Sequence, residues 1–96
     1  MIINFKSQTT NDIYDGTNSK EARKIPQTTW KVAQRKLDMI NAAVGISDLK
    51  VPPGNKLEAL KGGLDGFHSI RVNDQYRIIF RFKDSNAYDV KITDYH

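Results

Sequence analysis

Seven side chains in the second half of the chain carry groups that can grip a phosphate or move a proton: Lys61, Arg71, Arg77, Arg81, Asp94, Tyr95 and His96. Such a set suits cleavage of an RNA phosphodiester. The 2′-hydroxyl of RNA is an internal nucleophile, so a protein need not supply covalent chemistry. It must provide a base for the 2′ proton, an acid for the 5′-oxygen leaving group, and cations for the phosphorane. An imidazole such as His96 titrates near working pH and can fill either proton-transfer role. Lys61 and Arg77 can hold the phosphate, the arginine in bidentate fashion. Tyr95 can stack on a base or donate its hydroxyl. Other chemistries are poorly provided for. There is no glycine-rich phosphate loop, no nucleophile elbow and no zinc-ligand spacing. His68 and His96 have no companion ligands in their sequence context, so no metal and no cofactor is expected.

Each of these residues also has a plainer reading. Lys61 precedes the Gly62-Gly63 pair and is the kind of lysine that turns often carry. The arginines can pair with local carboxylates such as Asp89. Terminal histidines are commonly idle, and Glu58 in a short strand can simply be exposed.

The stretch that must position the set is GFHSIRVNDQYRIIFRF, Gly66 to Phe82. Two apolar-alternating runs, Phe67–Val72 and Tyr76–Phe82, flank an Asn73-Asp74 turn signal and predict a β-hairpin. Parity selects its register. A two-residue loop would set Ile70 opposite Arg77 and mix the faces. A three-residue loop, Asn73 to Gln75, pairs Val72 with Tyr76, Ile70 with Ile78 and His68 with Phe80. One face is then apolar, with Tyr76, Phe80 and Phe82 in the core and His68 a hydrogen-bonded core residue. The other face carries Ser69, Arg71, Arg77, Ile79 and Arg81, with Arg71 opposite Arg77. Like charges across a ladder destabilise a sheet by up to ~1 kcal/mol. A solvent-facing basic strip kept there points to an anionic partner.

The rest of the chain supplies the support. Met1–Phe5 alternates weakly and reads as a short first strand. Thr9 or Thr10 is expected to cap a short helix over Asn11–Tyr14, stopped by Gly16. Thr17–Lys24 is polar and reads as a loop or frayed turn. Past Pro26, with Thr28 or Thr29 as cap, Trp30, Ala33, Leu37, Ile40 and Val44 recur at helical spacing until Gly45. Lys31, Arg35 and Lys36 fall on the wet side of that helix. Residues 51–55, VPPGN, must be loop. Lys56–Leu60 reads as a strand, Gly62 to Gly66 as a turn, and Ala87–Thr93 as the last strand, with Tyr88, Val90 and Ile92 inward. The order is β, helices, then four sequential strands. That is an α+β architecture with helices on one face of a mostly antiparallel sheet.

At 96 residues the chain is one small domain with a single modest core. Its +4 net charge fits RNA, DNA or an acidic protein partner without choosing between them. No cysteine is present, which excludes disulfides and thiolate metal sites. No apolar run approaches the ~18 residues of a membrane span, and no signal-peptide core is visible. No membrane role is expected, and the reading is cytoplasmic.

The run PPGNKLEALKGG, followed by GFHSIRVNDQYRIIFRF and ITDYH, resembles the HigB/GraT-type toxins of the RelE/ParE superfamily, from about Pro26 to His96. The SIRVNDQYRI hairpin and the DYH triplet are the most specific parts. The resemblance implies a RelE-like, microbial-RNase-like fold. In it, two to three N-terminal helices pack on a curved, mostly antiparallel sheet of four to five strands. It further implies the toxin half of a type II toxin–antitoxin pair that cleaves mRNA in the ribosomal A site without a metal. A HigA-like antitoxin with a helix-turn-helix domain and an acidic surface would neutralise it, and operator DNA would be met only through that complex. Carried over by motif, cleavage falls to Asp94, Tyr95, His96, Lys61 and Arg77, and RNA contacts to Arg71, Arg81, Lys61 and Glu58. Some family members have a histidine as second acid or base where this sequence has Glu58, so the second proton-transfer group is not assigned by the resemblance. Three other readings remain open. One is a ParE-like gyrase poison without enzymatic activity, against which the DYH triplet argues. The others are an RNA-binding module that does not cut, and an antitoxin-binding fold that has lost catalysis.

Overall fold

A serine, not a threonine, starts the first helix. The structure, a computed structural model, describes residues 1–94. Ser7 has extended backbone, and its Oγ accepts from the Thr10 amide at 3.2 Å, which opens α1 (Gln8–Asp15). Thr9 and Thr10, the expected caps, therefore lie inside the helix. Thr10 is completely buried, and its Oγ1 accepts from the backbone N–H of Ile92 at 2.9 Å, fastening α1 to the last strand. Gly16 stops the helix as expected, at φ +76°, a conformation that costs glycine little.

The long helix α2 (Gln27–Ala42) begins directly after Pro26, so Thr28 and Thr29 sit within it rather than capping it. Trp30, Ala33, Leu37 and Ile40 form its buried stripe, as their spacing predicts. Val44 does not join them and is 73% exposed. The helix ends sooner because the Asp48 carboxylate accepts the amides of Val44 at 2.9 Å and Gly45 at 3.2 Å, turning the chain outward. Those amide dipoles, Val44's foremost, hold the Asp48 carboxyl below its ordinary pKa.

Four antiparallel strands follow in sequential order: β1 (Glu58–Ala59), β2 (Phe67–Arg71), β3 (Tyr76–Lys83) and β4 (Asn86–Asp94). The expected strand over Lys56–Leu60 shortens to two paired residues, extended by the bond from the Leu60 amide to the Phe67 carbonyl at 2.8 Å. The central hairpin has the register that parity required. Ile70 pairs with Ile78, His68 with Phe80 and Arg71 with Arg77. The first residues do not form a strand proper. They make two parallel bridges to β4, Ile2 with Ala87 and Phe5 with Val90.

Between those bridges β4 bulges at Asp89, which has φ +53°. The Asn4 side chain fills the bulge, donating to the Asp89 carboxylate at 2.8 Å and accepting its amide at 3.0 Å. The extra residue shifts the alternation. Ala87, Val90 and Ile92 point into the core, whereas Tyr88, expected inward, is half-buried opposite Arg81 on the other face. Both helices contribute to a core completed by Ile70, Val72, Tyr76, Ile78 and Phe80, with Phe82 partly buried against it. His68 is half-buried with its ring 6.2 Å from that of Phe80. Its buried Nδ1 has no hydrogen-bond partner, so it is not the bonded core histidine expected from the sequence.

Candidate active site

Strand alternation puts Ser69, Arg71, Arg77 and Ile79 on the sheet face opposite the core. The expected solvent-facing strip is nonetheless only partly open. The Arg77 side chain is 5% exposed, against 33% for Arg71 and 53% for Arg81. Among the described residues, the chain leading into β1 covers part of Arg77. After the turn of helix at Pro53–Asn55, Lys56 takes a left-handed conformation at φ +46°. Its carbonyl then accepts from Arg77 Nη2 at 2.8 Å. Glu58, one strand over from β2, brings its carboxylate to 3.4 Å from Arg77 Nη1. The turn itself is secured from below. Asn55 is fully buried, donates to the Leu49 carbonyl at 3.1 Å, and accepts from the Lys36 ammonium at 2.5 Å. Desolvation there lowers the Lys36 pKa, with the neighbouring Arg35 charge adding to it.

The three arginines have separate surroundings. Arg71 forms an ion pair with Asp74 and donates to the Asn73 carbonyl at 3.2 Å. Arg77 is held as described. Arg81 lies 3.5 Å from the Asp89 carboxylate and 4.6 Å above the Phe67 ring. A carboxylate beside each cation offsets the repulsion of Arg71 and Arg77 across the ladder, in line with the plainer reading of these residues.

Two clefts meet at Arg77. One, of about 380 Å³, is lined by Lys56, Glu58, Arg71, Asn73, Asp74 and Arg77. The other, of about 240 Å³, is lined by Leu60, Leu64, Ser69, Arg77, Ile79, Thr93 and Asp94. The first gathers three cations and two carboxylates, giving a mildly positive hollow with a buried guanidinium in its wall. Such a guanidinium is pre-oriented and partly desolvated, which strengthens its interaction with an anion.

The sequence-predicted residues divide accordingly. Arg71, Arg77 and Glu58 are brought together in the larger cleft, and Asp94 reaches the smaller one. Asp94 pairs with Tyr76, whereas Thr93 stands across from Arg77. The Asp94 carboxylate accepts from the Gln75 side chain at 3.1 Å. Lys61 is exposed at the head of the turn after β1 and lines neither cleft. Arg81 lines neither cleft and faces Asp89 and Phe67 instead. Tyr95 and His96 lie outside the described residues. Sequence reasoning missed Lys56 and Asn73. Lys56 follows the Pro-Pro-Gly-Asn run, where the chain has to turn back on itself. Asn73 shapes the hairpin loop, its Oδ1 accepting the amides of Gln75 at 2.9 Å and Tyr76 at 2.8 Å.

A family model described as the RelE-like toxin of type II toxin–antitoxin system HigB matches residues 3–96. Toxin HigB-1 of Vibrio cholerae is 42% identical over 87 residues, which is 91% of this chain and 90% of that protein. Endoribonuclease HigB of Proteus vulgaris is 44% identical over 41 residues, 43% of this chain and 45% of that protein. Among solved structures, a chain of the heterotetrameric YoeB–YefM toxin–antitoxin complex from Staphylococcus aureus superposes with a TM-score of 0.61. That alignment covers 100% of this chain and 95% of the other at 20% identity, a likeness of fold.

Proposed function

This chain belongs to the RelE-like HigB toxin family of type II toxin–antitoxin systems, and from that premise we propose that it is an endoribonuclease that stops translation by cutting mRNA in the ribosomal A site. The observation that carries the reading is the buried guanidinium of Arg77, fixed by the Lys56 carbonyl at 2.8 Å and forming a wall of both clefts. A phosphate seated where the clefts meet would be gripped by Arg77, with Lys56 and Arg71 beside it. Those cations are in place before substrate arrives, so the charge of the phosphorane is met without reorganisation.

Proton transfer falls to groups around that phosphate. His96 serves as general acid or base, with Tyr95 and Asp94 assisting and Lys61 contacting the RNA backbone. Glu58, whose carboxylate lies 3.4 Å from the guanidinium, would take the 2′ proton as the second group. In-line attack by an internal hydroxyl asks only for proton transfer and cationic stabilisation, which supports a route without a metal. Arg81, with Phe67 beneath it, would contact RNA further from the scissile bond.

The partner that restrains this activity is proposed to be a HigA-like helix-turn-helix antitoxin with an acidic surface. The chain's +4 charge would steer such a partner and make association salt-sensitive. Operator DNA would be bound only by the pair, in the cytoplasm. No helix among the described residues is long and apolar enough to cross a membrane. Primer extension on translated mRNA, with the wild-type chain and Arg77→Ala, tests the reading. New 5′ ends within codons that vanish in the variant support it, and intact mRNA under growth arrest sinks it.

A further inference from the structure

Lys36 and Asn55 line neither cleft, yet Asn55 immediately precedes the residue whose carbonyl holds Arg77. Asn55 is 0% exposed, and both polar groups of its side chain are used. Nδ2 donates to the Leu49 carbonyl at 3.1 Å, and Oδ1 accepts from the Lys36 ammonium at 2.5 Å. Its backbone N–H donates to the Pro52 carbonyl at 3.0 Å. A buried amide oxygen asks only for a donor, and a neutral one would do. Here α2 supplies an ammonium, half-buried, and its desolvation lowers the Lys36 pKa. Apolar side chains of matching volume would hold a loop to a helix without that cost. What a satisfied polar pair adds is a single geometry, because a hydrogen bond fixes distance and direction where apolar contacts allow sliding.

The geometry so fixed lies one residue from the site. Lys56 has φ +46°, a left-handed conformation that residues with a Cβ keep only where their surroundings hold them. Its N–H donates to the Pro53 carbonyl at 3.1 Å, and its own carbonyl accepts from Arg77 Nη2 at 2.8 Å. Its side chain lines the larger cleft. A shift of Asn55 therefore moves together the backbone acceptor that Arg77 uses and a cation of the cleft.

We propose that Lys36 and Asn55 are positioning residues of the ribonuclease site: their hydrogen bond sets the place of the Lys56 carbonyl, and through it the direction in which the Arg77 guanidinium faces the phosphate. The proposal deepens the ribonuclease reading and rests on it. Neither residue touches RNA. Their contribution falls in the transition state, where the developing charge of the phosphorane makes orientation count. A misplacement of 1 Å can cost on the order of 10²-fold in rate. Loss of this clamp, with Glu58 still beside Arg77, is expected to cost roughly tenfold.

The experiment measures kcat and KM of the purified full chain on mRNA in translating ribosomes, at a temperature where every variant used is folded. Lys36→Met keeps an unbranched stem on the helix and removes the donor. It is expected to lower kcat roughly tenfold with KM within about twofold of wild type, the mark of an interaction that matters only in the transition state. Lys36→Arg restores a charged donor and is expected to recover most of the loss. The decisive comparison uses an Arg77→Ala background. A residue that acts through the guanidinium has nothing left to position there, so adding Lys36→Met should change kcat by less than about twofold. A purely structural Lys36 would lower melting temperature and leave kcat of the folded protein unchanged, which overturns the proposal. So does a rise in KM alone, or a tenfold loss that persists in the Arg77→Ala background. If Lys36→Met does not fold, Lys36→Gln decides by the same criteria. Cleavage by wild type that Arg77→Ala reduces keeps the ribonuclease reading standing even when Lys36 proves silent. A wild-type chain that cuts no RNA removes both.

Discussion

The Arg77 guanidinium donates to the backbone carbonyl of Lys56 at 2.8 Å, a bond between the start of β3 and a loop 21 residues earlier. It makes the loop a wall of the site and the site a brace for the loop. Removing the side chain therefore acts on stability and on chemistry together. Arg77→Ala should reduce cleavage by about 1–3 kcal/mol of transition-state stabilisation, roughly five- to 150-fold, the scale of a lost charge-assisted hydrogen bond. Melting should fall as well, because the Lys56 carbonyl loses its donor. Arg77→Lys restores the charge without the two-pronged fork and should recover part of the activity. Cleavage rates at a temperature where all three proteins are folded separate the two effects, and an Arg77→Ala enzyme with wild-type rates would move the phosphate site elsewhere.

How far the sequence foretold this arrangement depends on the range of the contacts concerned. Pairing of Ile70 with Ile78 and of Arg71 with Arg77 was legible because a slip by one residue would have exchanged every apolar and polar side chain of the hairpin. The burial of Arg77 was not legible. Part of its cover is the Lys56 carbonyl, whose position depends on the Pro53–Asn55 turn that Asn55 ties to Leu49 and Lys36. Tyr88 was misplaced for a similar reason. Period-two alternation holds only along an unbroken strand, and the bulge at Asp89 is stabilised by Asn4, 85 residues away in the chain. Val44 continued the helical period, but Asp48 captures the amides that would have extended the helix. Local periodicity thus predicted elements and register, and side-chain contacts to distant backbone decided where they stop.

Thr10 gives a test of one such distant contact. Its hydroxyl accepts the Ile92 amide in a fully buried position. Thr10→Ala leaves that N–H without its partner and should cost about 1–3 kcal/mol. For a domain of this size that is a fall in Tm of roughly 5–20 °C. Thr10→Ser keeps the oxygen and should lose much less. Equal melting of the two variants would show that the lost methyl group, rather than the hydrogen bond, carries the effect.

Asp48 predicts an acid-dependent stability. Its carboxyl is held below the ordinary value by the amides of Val44 and Gly45. A depressed folded-state pKa means stability that is fully present above the unfolded value of about 3.9 and lost as pH falls through the folded one. Asp48→Ala should therefore melt below wild type at pH 7 and pH 5. The gap should narrow below about pH 4, where wild type also loses the charge. Melting curves at pH 7, 5 and 3 check this, and a gap as wide at pH 3 as at pH 7 would mean the carboxylate is not its source.

The proposed role of His96 depends on how firmly the last strand is held up to Asp94. Val90 is fully buried and Ile92 is 5% exposed, each large apolar side chain contributing about 1.5–3 kcal/mol by burial. Tyr88 contributes little to that anchor, because the bulge turns it to the other face. The Ile92 amide is tied to Thr10, and Thr93 is paired with Arg77 itself. The strand thus reaches Asp94 in fixed register with the guanidinium that is proposed to hold the phosphate. His96→Gln keeps a polar side chain of similar reach but cannot exchange a proton near neutral pH. Antitoxin affinity and melting temperature should stay close to wild type, while mRNA cleavage falls by roughly the 10²–10⁴-fold typical of a missing general acid or base. The pH–rate profile should also lose the limb that the imidazole contributes. If His96→Gln arrests growth and cuts mRNA as wild type does, proton transfer belongs to Glu58 and a second group nearer Arg77, and the DYH triplet has no catalytic part.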